Sequence, residues 1–183
     1  MHSIENLLLR DCNEGDIPSI AEIYDHAVLT SLATFEIMPP GEAEMKNRWR
    51  RIAIDHFPFI VAEKERKIVG FAYASPYRTR AAYDNTVENS IYVRDGFHGK
   101  GIGTRLLDRL VTETAALDFR QMIAVIGDGN NKASTGVHEK LGFTLIGTMH
   151  SVGWKHGRWL DVVLMQRALG PGDTTPGRYR IST

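Results

Sequence analysis

Three groups of residues in this sequence have types and spacing that could do chemistry. The first is GFHGKGIGTRLL, Gly96 to Leu107, where glycines at 96, 99, 101 and 103 surround Lys100 and run straight into an apolar pattern of helical period. A helix start presents unpaired N–H groups and a partial positive charge, and glycine lets an anion approach bare backbone. The stretch therefore reads as a cradle for a phosphate or pyrophosphate, the competing reading being a plain glycine turn. The second is Glu88 in TVENSIYV, a charged residue inside an apolar strand pattern just ahead of the cradle. Half-buried, its carboxyl would be raised toward the range useful to a base; facing outward, it would be an ordinary strand glutamate. The third is His138 in GVHEKLGF. An imidazole titrating near ~6.5 can give or take a proton, although a lone helical histidine can equally be a surface or core residue.

Two familiar cradle patterns test the glycine stretch. A Walker A loop needs Ser or Thr after Gly-Lys and a glycine five positions ahead of that Gly-Lys. Here Gly101 follows Lys100 and Arg94 occupies the opening position, so that pattern fails. A dinucleotide fingerprint starts well at Gly101-Ile102-Gly103 but meets Leu106 where its last glycine belongs. Asp128 could mimic the ribose-binding acid, which keeps that reading as a weak rival. In YRTRAAYD, Arg78 and Arg80 share a face if the segment is extended. Guanidinium forks suit carboxylates and phosphinates, and Tyr83 could close over an aliphatic chain; solvated loop arginines are the alternative. No metal-ligand spacing occurs: position 142, four after His138, is Gly, so H-E-x-x-H is absent and no metal is expected. Cys12, the single cysteine, reads as a buried strand residue rather than a catalytic thiol.

These side chains need elements to hold them. LLLRDC is a first strand, and EGDIPSIAEIYDHAVLTS a helix with Asp16 as N-cap and Pro18 in its first turn. EAEMKNRWRRIAIDH is a second helix whose Arg48, Arg50 and Arg51 read as a solvated face. PFIVAEKE and KIVGFAYASPY form a hairpin about a charged turn at Lys64 to Lys67. TVENSIYV is a strand whose alternation sets Glu88, Ser90 and Tyr92 against Val87, Asn89, Ile91 and Val93, without saying which face meets the site. Ile102 to Leu117 is an amphipathic helix, QMIAVI a buried strand, and NNKASTGVHEKLGF a short helix closed at Gly142. TLIGTM and RWLDVVLMQ are final strands, with His150 and His156 flanking their hairpin as structural residues. The order β-α-α-β-β-β-α-β-α-β-β predicts an α/β (α+β) fold, a mixed sheet of about seven strands flanked by about four helices. One domain is expected over 1–169, with 170–183, rich in Gly and Pro, as a mobile tail.

Composition excludes some classes. Lys+Arg and Asp+Glu are both 22 among 183 residues, a balance unlike the basic excess of nucleic-acid modules. There is no apolar run of signal-peptide or transmembrane length, and one cysteine allows no intrachain disulfide, so a soluble cytoplasmic protein with no membrane or nucleic-acid partner is expected.

The segment HGKGIG after SIYV resembles the pyrophosphate loop of the GNAT N-acetyltransferases, [QR]-x-x-G-x-[GA], with Gly101 and Gly103 matching and His98 departing from Gln or Arg. AYDNTVENSIYV, IAVIGDGNNKAS, HEKLGF and GWKHGRWLDV extend the likeness over Leu8 to Leu169, and within the family resemble the phosphinothricin and methionine sulfoximine enzymes. The resemblance implies acetyl-CoA as co-substrate, held by Ile91, Tyr92, Val93, Gly99, Lys100, Gly101, Ile102, Gly103, Thr104 and Asn131, with Asn130 as the fallback if the register slips by one. It implies Glu88 as base toward an ammonium acceptor, directly or through water, and the Val93 N–H as oxyanion donor. His138 stands where most members carry a tyrosine that protonates the leaving thiolate. The acceptor, a small amino acid with a tetrahedral polar head, is expected at Phe35, Arg78, Thr79, Arg80, Tyr83, Glu88, Asn89 and Ser90, and a homodimer is expected. A peptide N-terminus or other amine as acceptor, and a non-catalytic acetyl-CoA sensor, stay open as alternatives.

Overall fold

Strands covered on both faces lose their polar alternation. In β2 (Phe59–Lys64) and β3 (Lys67–Pro76), Ile60, Val61, Ala62, Val69, Phe71 and Ala72 are all fully buried. Glu65 and Arg66 turn one strand into the other with φ of 51° and 63°, the left-handed pair of a two-residue hairpin whose twist matches its strands. The structure is a computed structural model and describes residues 6–129 and 131–179.

The remaining elements follow the expected order: β1 (Leu7–Asp11), α1 (Ile17–Thr30), α2 (Gly41–Ile54), then after the hairpin β4 (Thr86–Val93), α3 (Ile102–Ala116), β5 (Gln121–Gly127), α4 (Lys132–Lys140), β6 (Thr144–Lys155) and β7 (Arg158–Ala168). They build a seven-stranded sheet in the order β1-β2-β3-β4-β5-β7-β6, parallel only between β4 and β5. This is the mixed α/β fold that the periodicities predict. On one face α1 and α2 bury Ile17, Ile20, Tyr24, Val28 and Met45 against Phe59, Val61 and Phe71. On the other, α3 buries Ile102, Leu106, Leu107, Leu110 and Val111 against β2, β3 and β5, about 1.5–3 kcal/mol for each large side chain removed from water.

The β4–β5 ladder has only three pairs, Thr86↔Gln121, Val87↔Met122 and Glu88↔Ile123. Beyond it β4 stays paired with β3 while β5 stays paired with β7, so the two strands part. Arg94 N donates to Val69 O on β3 at 2.9 Å. Backbone N–H direction alternates along a strand, so the N–H groups of Val93 and Ile91 point away from β3, into the gap.

Three local readings are revised. Asp16 precedes α1 but does not cap it with its side chain; the carboxylate accepts from Asn13 N at 2.9 Å and from both Arg10 terminal nitrogens at 2.7 Å, closing a capping box around the preceding 3-10 turn. Arg48 is not merely solvated: it pairs with Glu36 at 2.7 Å and Glu44 at 3.1 Å. The described residues after β7 are tied to the sheet by Arg120, which donates to Thr175 Oγ1 at 2.7 Å, and by Arg178 N donating to Asn85 Oδ1 at 2.9 Å.

Candidate active site

Where β4 and β5 part, a cleft of about 290 Å³ opens through the sheet. Val87, Ile91 and Val93 pack toward α3, and Tyr92 packs toward α1. This settles what alternation left open: Glu88 and Ser90 meet the cleft from the α1–α2 side, Asn89 from the α3–α4 side.

Glu88 is half-buried, its backbone in the ladder and its carboxylate without a hydrogen-bond partner among the described residues. Burial pushes its carboxyl above the usual carboxylate range, and the positive charge of Arg78 pulls it partly back. Beside it stand Tyr73 and Ser90, cross-strand partners on β3 and β4, and Tyr24, whose hydroxyl donates to Glu36 at 2.9 Å and lies 3.1 Å from Thr34 Oγ1. Sequence reasoning missed Tyr24, Thr34 and Tyr73. Tyr24 and Tyr73 sit within apolar periodic runs and carry no signal separating cleft from core.

His138 is 4% exposed and meets the cleft from α4. Its Nδ1 is 2.8 Å from Ser134 O and its Nε2 is 3.0 Å from Asn89 Oδ1. The Asn89 amide is oriented by Nδ2 donating to Ile123 O at 3.2 Å. Both ring nitrogens thus face acceptors, and only the imidazolium donates to both. Burial acts the other way and lowers the His138 pKa, with the bond to Ser134 O partly opposing it. Asn89, expected on the acceptor side, instead faces His138.

At the far end of β4 lies the glycine stretch. Gly99 and Gly101 have φ of 73° and 80°, and Gly101 caps α3 in a left-handed conformation with no acidic residue in the first turn. The first helical bond is Arg105 N to Gly101 O at 3.1 Å, so the N–H groups of Ile102, Gly103 and Thr104 precede the ladder and are oriented for an anion. Backbone alone supplies the donors. The Ile102 side chain is core, 1% exposed; Tyr92's ring stacks on Phe71 at 5.2 Å and meets Tyr24 edge-on at 4.9 Å, on the opposite side of the sheet from α3. Lys100 folds back, its Nζ donating to Gly96 O at 2.9 Å over the Phe97 ring. The cradle therefore fits a pyrophosphate, and the free edge of β4 fits an extended amide-bearing chain.

Asn131 lines the cleft and caps α4 by accepting from Ser134 N at 3.1 Å; Asn130 lies outside the described residues. Phe35 walls the cleft on the Glu88 side. Arg78, Thr79, Arg80 and Tyr83 do not line it. Pro76 ends β3 and a 3-10 turn at Ala81–Tyr83 carries the loop alongside; Arg78 stacks 4.1 Å over Tyr77, and Tyr77 and Tyr83 border a neighbouring pocket of about 320 Å³. Arg78 reaches Glu88 through its charge alone. No cluster of metal-binding side chains occurs among the described residues.

Known proteins resemble the chain over most of its length. The model of the acetyltransferase (GNAT) family matches residues 21–143. The chain is 44% identical over 167 residues to a phosphinothricin N-acetyltransferase of Alcaligenes faecalis, covering 91% of this chain and 85% of that one. It is 37% identical to an L-methionine sulfoximine/L-methionine sulfone acetyltransferase of Pseudomonas paraeruginosa, covering 92% and 98%. Among solved structures, a phosphinothricin acetyltransferase of Sinorhizobium meliloti in complex with AcCoA superposes with a TM-score of 0.92 at 47% identity, covering 96% and 95%. The split sheet, the glycine cradle at its mouth and these relatives place the chain in the GNAT family of acetyltransferases.

Proposed function

We propose that this protein transfers the acetyl group of acetyl-CoA to the amino group of a small amino acid with a tetrahedral polar head, phosphinothricin or methionine sulfoximine and its sulfone. The observation that carries the reading is the cleft between β4 and β5, entered by Glu88 from one face and His138 from the other, with an anion cradle beyond. The names of the two relatives supply the acceptor class.

Acetyl-CoA supplies an activated acyl carbon and a thiolate leaving group. The backbone N–H groups of Ile102, Gly103 and Thr104 hold its pyrophosphate, and the free edge of β4 from Ile91 to Val93 aligns its arm. Glu88, raised by burial, takes a proton from the ammonium, directly or through water, so that the neutral amine forms the new C–N bond. The Val93 N–H faces the oxygen on which charge builds; one such donor contributes about 10²–10³ in rate. As the C–S bond breaks, the nitrogen, now carrying a positive charge, gives its second proton to water, and His138 Nε2 gives its proton to the sulfur; bulk water restores the imidazolium. Arg78 and Arg80, on the exposed loop beside Glu88, supply positive charge for the acceptor's carboxylate or head.

The described helices include none long and apolar enough to cross a membrane. Leu145, Ile146, Met149, Val152 and Trp154 are exposed along edge strand β6. An unpaired apolar edge of this kind needs cover, and we read it as the contact of a homodimer. Sedimentation should show twice the chain mass, and a monomer at micromolar concentration would refute it.

The assay is thiol release from acetyl-CoA with phosphinothricin, methionine sulfoximine, methionine sulfone, ordinary amino acids, short peptides and an aminoglycoside. Turnover confined to the first three and their close analogues is expected. Turnover of peptides alone would contradict the reading, and cofactor binding with no turnover would indicate a sensor.

A further inference from the structure

The connection between α1 and α2 crosses the sheet at two glycines. A Cβ built on Gly153 of β6 would lie 1.7 Å from Phe35 Cε1 and 2.3 Å from Cδ1, and its third neighbour is again that ring. A Cβ on Gly127, the last residue of β5, would lie 3.0 Å from Phe35 Cε2 and 2.5 Å from Leu32 O. The Phe35 ring therefore rests across two bare stretches of backbone, and a side chain at 153 cannot coexist with the ring where it stands. Two residues on, and so on the same side of β6, Lys155 is 3% exposed and its Nζ donates to Thr34 O at 2.8 Å. The hairpin thus grips both residues of the Thr34-Phe35 pair. The ring itself stays 38% exposed, turned toward the cleft on the side of Glu88.

We propose that Gly127, Gly153 and Lys155 are positioning residues that seat the Phe35 ring, and that the seated ring is the wall selecting the acceptor by size. The inference deepens the acceptor reading above and rests on it for the identity of what is selected. The seat itself rests on contact geometry alone. One methylene's difference in a fitted apolar pocket changes discrimination about 10- to 200-fold, so a displaced ring is a large perturbation.

The test is a double-mutant cycle with Gly153→Ala, Phe35→Ala and the pair, read by kinetics and by melting temperature. Gly153→Ala should lower kcat/KM for methionine sulfone about tenfold or more and leave the acetyl-CoA KM unchanged. In the Phe35→Ala background the same substitution should change nothing. Phe35→Ala alone should raise the ratio of phenylalanine to methionine sulfone turnover. Lys155→Met, which keeps the stem and drops the ammonium, should relax the ratio in the same direction; an unchanged ratio would remove Lys155 from the seat. The melting temperature should fall with Gly153→Ala only when Phe35 is present, a result that needs no substrate. Equal effects of Gly153→Ala in both backgrounds, or none in either, would overturn the seat. If the wild type turns over no amino acid, the acceptor reading and the selection role fail together, while the melting cycle still decides the seat.

Discussion

Glu88 and His138 approach one cleft from opposite faces of the sheet, and burial moves their pKa values in opposite directions. Burial raises the carboxyl of Glu88 toward useful basicity. Burial lowers the pKa of His138, while Ser134 O and Asn89 Oδ1 favour its doubly protonated form. Asn89 is therefore the residue whose removal should report on the acid. With the acceptor of Nε2–H gone in Asn89→Leu, the charged ring loses support and its pKa falls further. The active form is the protonated one, so the descending limb of the kcat–pH curve should move to lower pH and kcat at neutral pH should fall about tenfold, within the range of acid–base contributions. An unmoved limb would separate Asn89 from the acid. At this scale the sequence was partly legible. Glu88 stood out as a charge in an apolar strand, and the glycines by their spacing. Arg78 and Arg80 stand out because their side chains suit anions, and their loop lies beside the cleft rather than lining it, a placement that side-chain chemistry does not encode. Tyr73 was hidden because a cleft-lining tyrosine has the same strand period as a core one.

At the scale of elements, the parting of β4 from β5 creates the site. It depends on hydrogen-bond pairing between segments far apart in sequence, which no local pattern encodes. The order of strands and helices was legible because each carries its own period and its own turn chemistry. The three-residue bulge of β6 at His150–Val152 was not; it is held from across the hairpin, where Asp161 accepts from Ser151 N and pairs with His150, both at 2.9 Å. The cradle does follow from local conformation. Gly101 has a φ of 80°, and no atom lies within 4 Å of where its Cβ would stand. A side chain there meets conformational strain of about 1–2 kcal/mol but no collision. Gly101→Val should thus fold, raise the acetyl-CoA KM about tenfold or more, and leave the acceptor KM near its wild-type value. A folded variant with unaltered acetyl-CoA kinetics would contradict the cradle.

Across the whole molecule, Lys+Arg and Asp+Glu balance at 22 each, so anionic ligands are attracted by local features rather than by a general field. Those features are the start of α3 and the loop at Arg78 and Arg80, one at each end of the β4 strand that carries Glu88. The sheet brings the two halves of the reaction together by running this one strand between them. Removing the Glu88 charge while keeping its shape is therefore the most direct test. The measurement is the pH dependence of kcat and kcat/KM for phosphinothricin acetylation by the wild type and by Glu88→Gln. The wild type should show an ascending limb above the usual glutamate range, and the variant a kcat lower by about 10²–10⁴, an altered limb and an acetyl-CoA KM within about twofold of wild type. A variant that retains most of its activity at neutral pH, with the same ascending limb, would contradict Glu88 as the base.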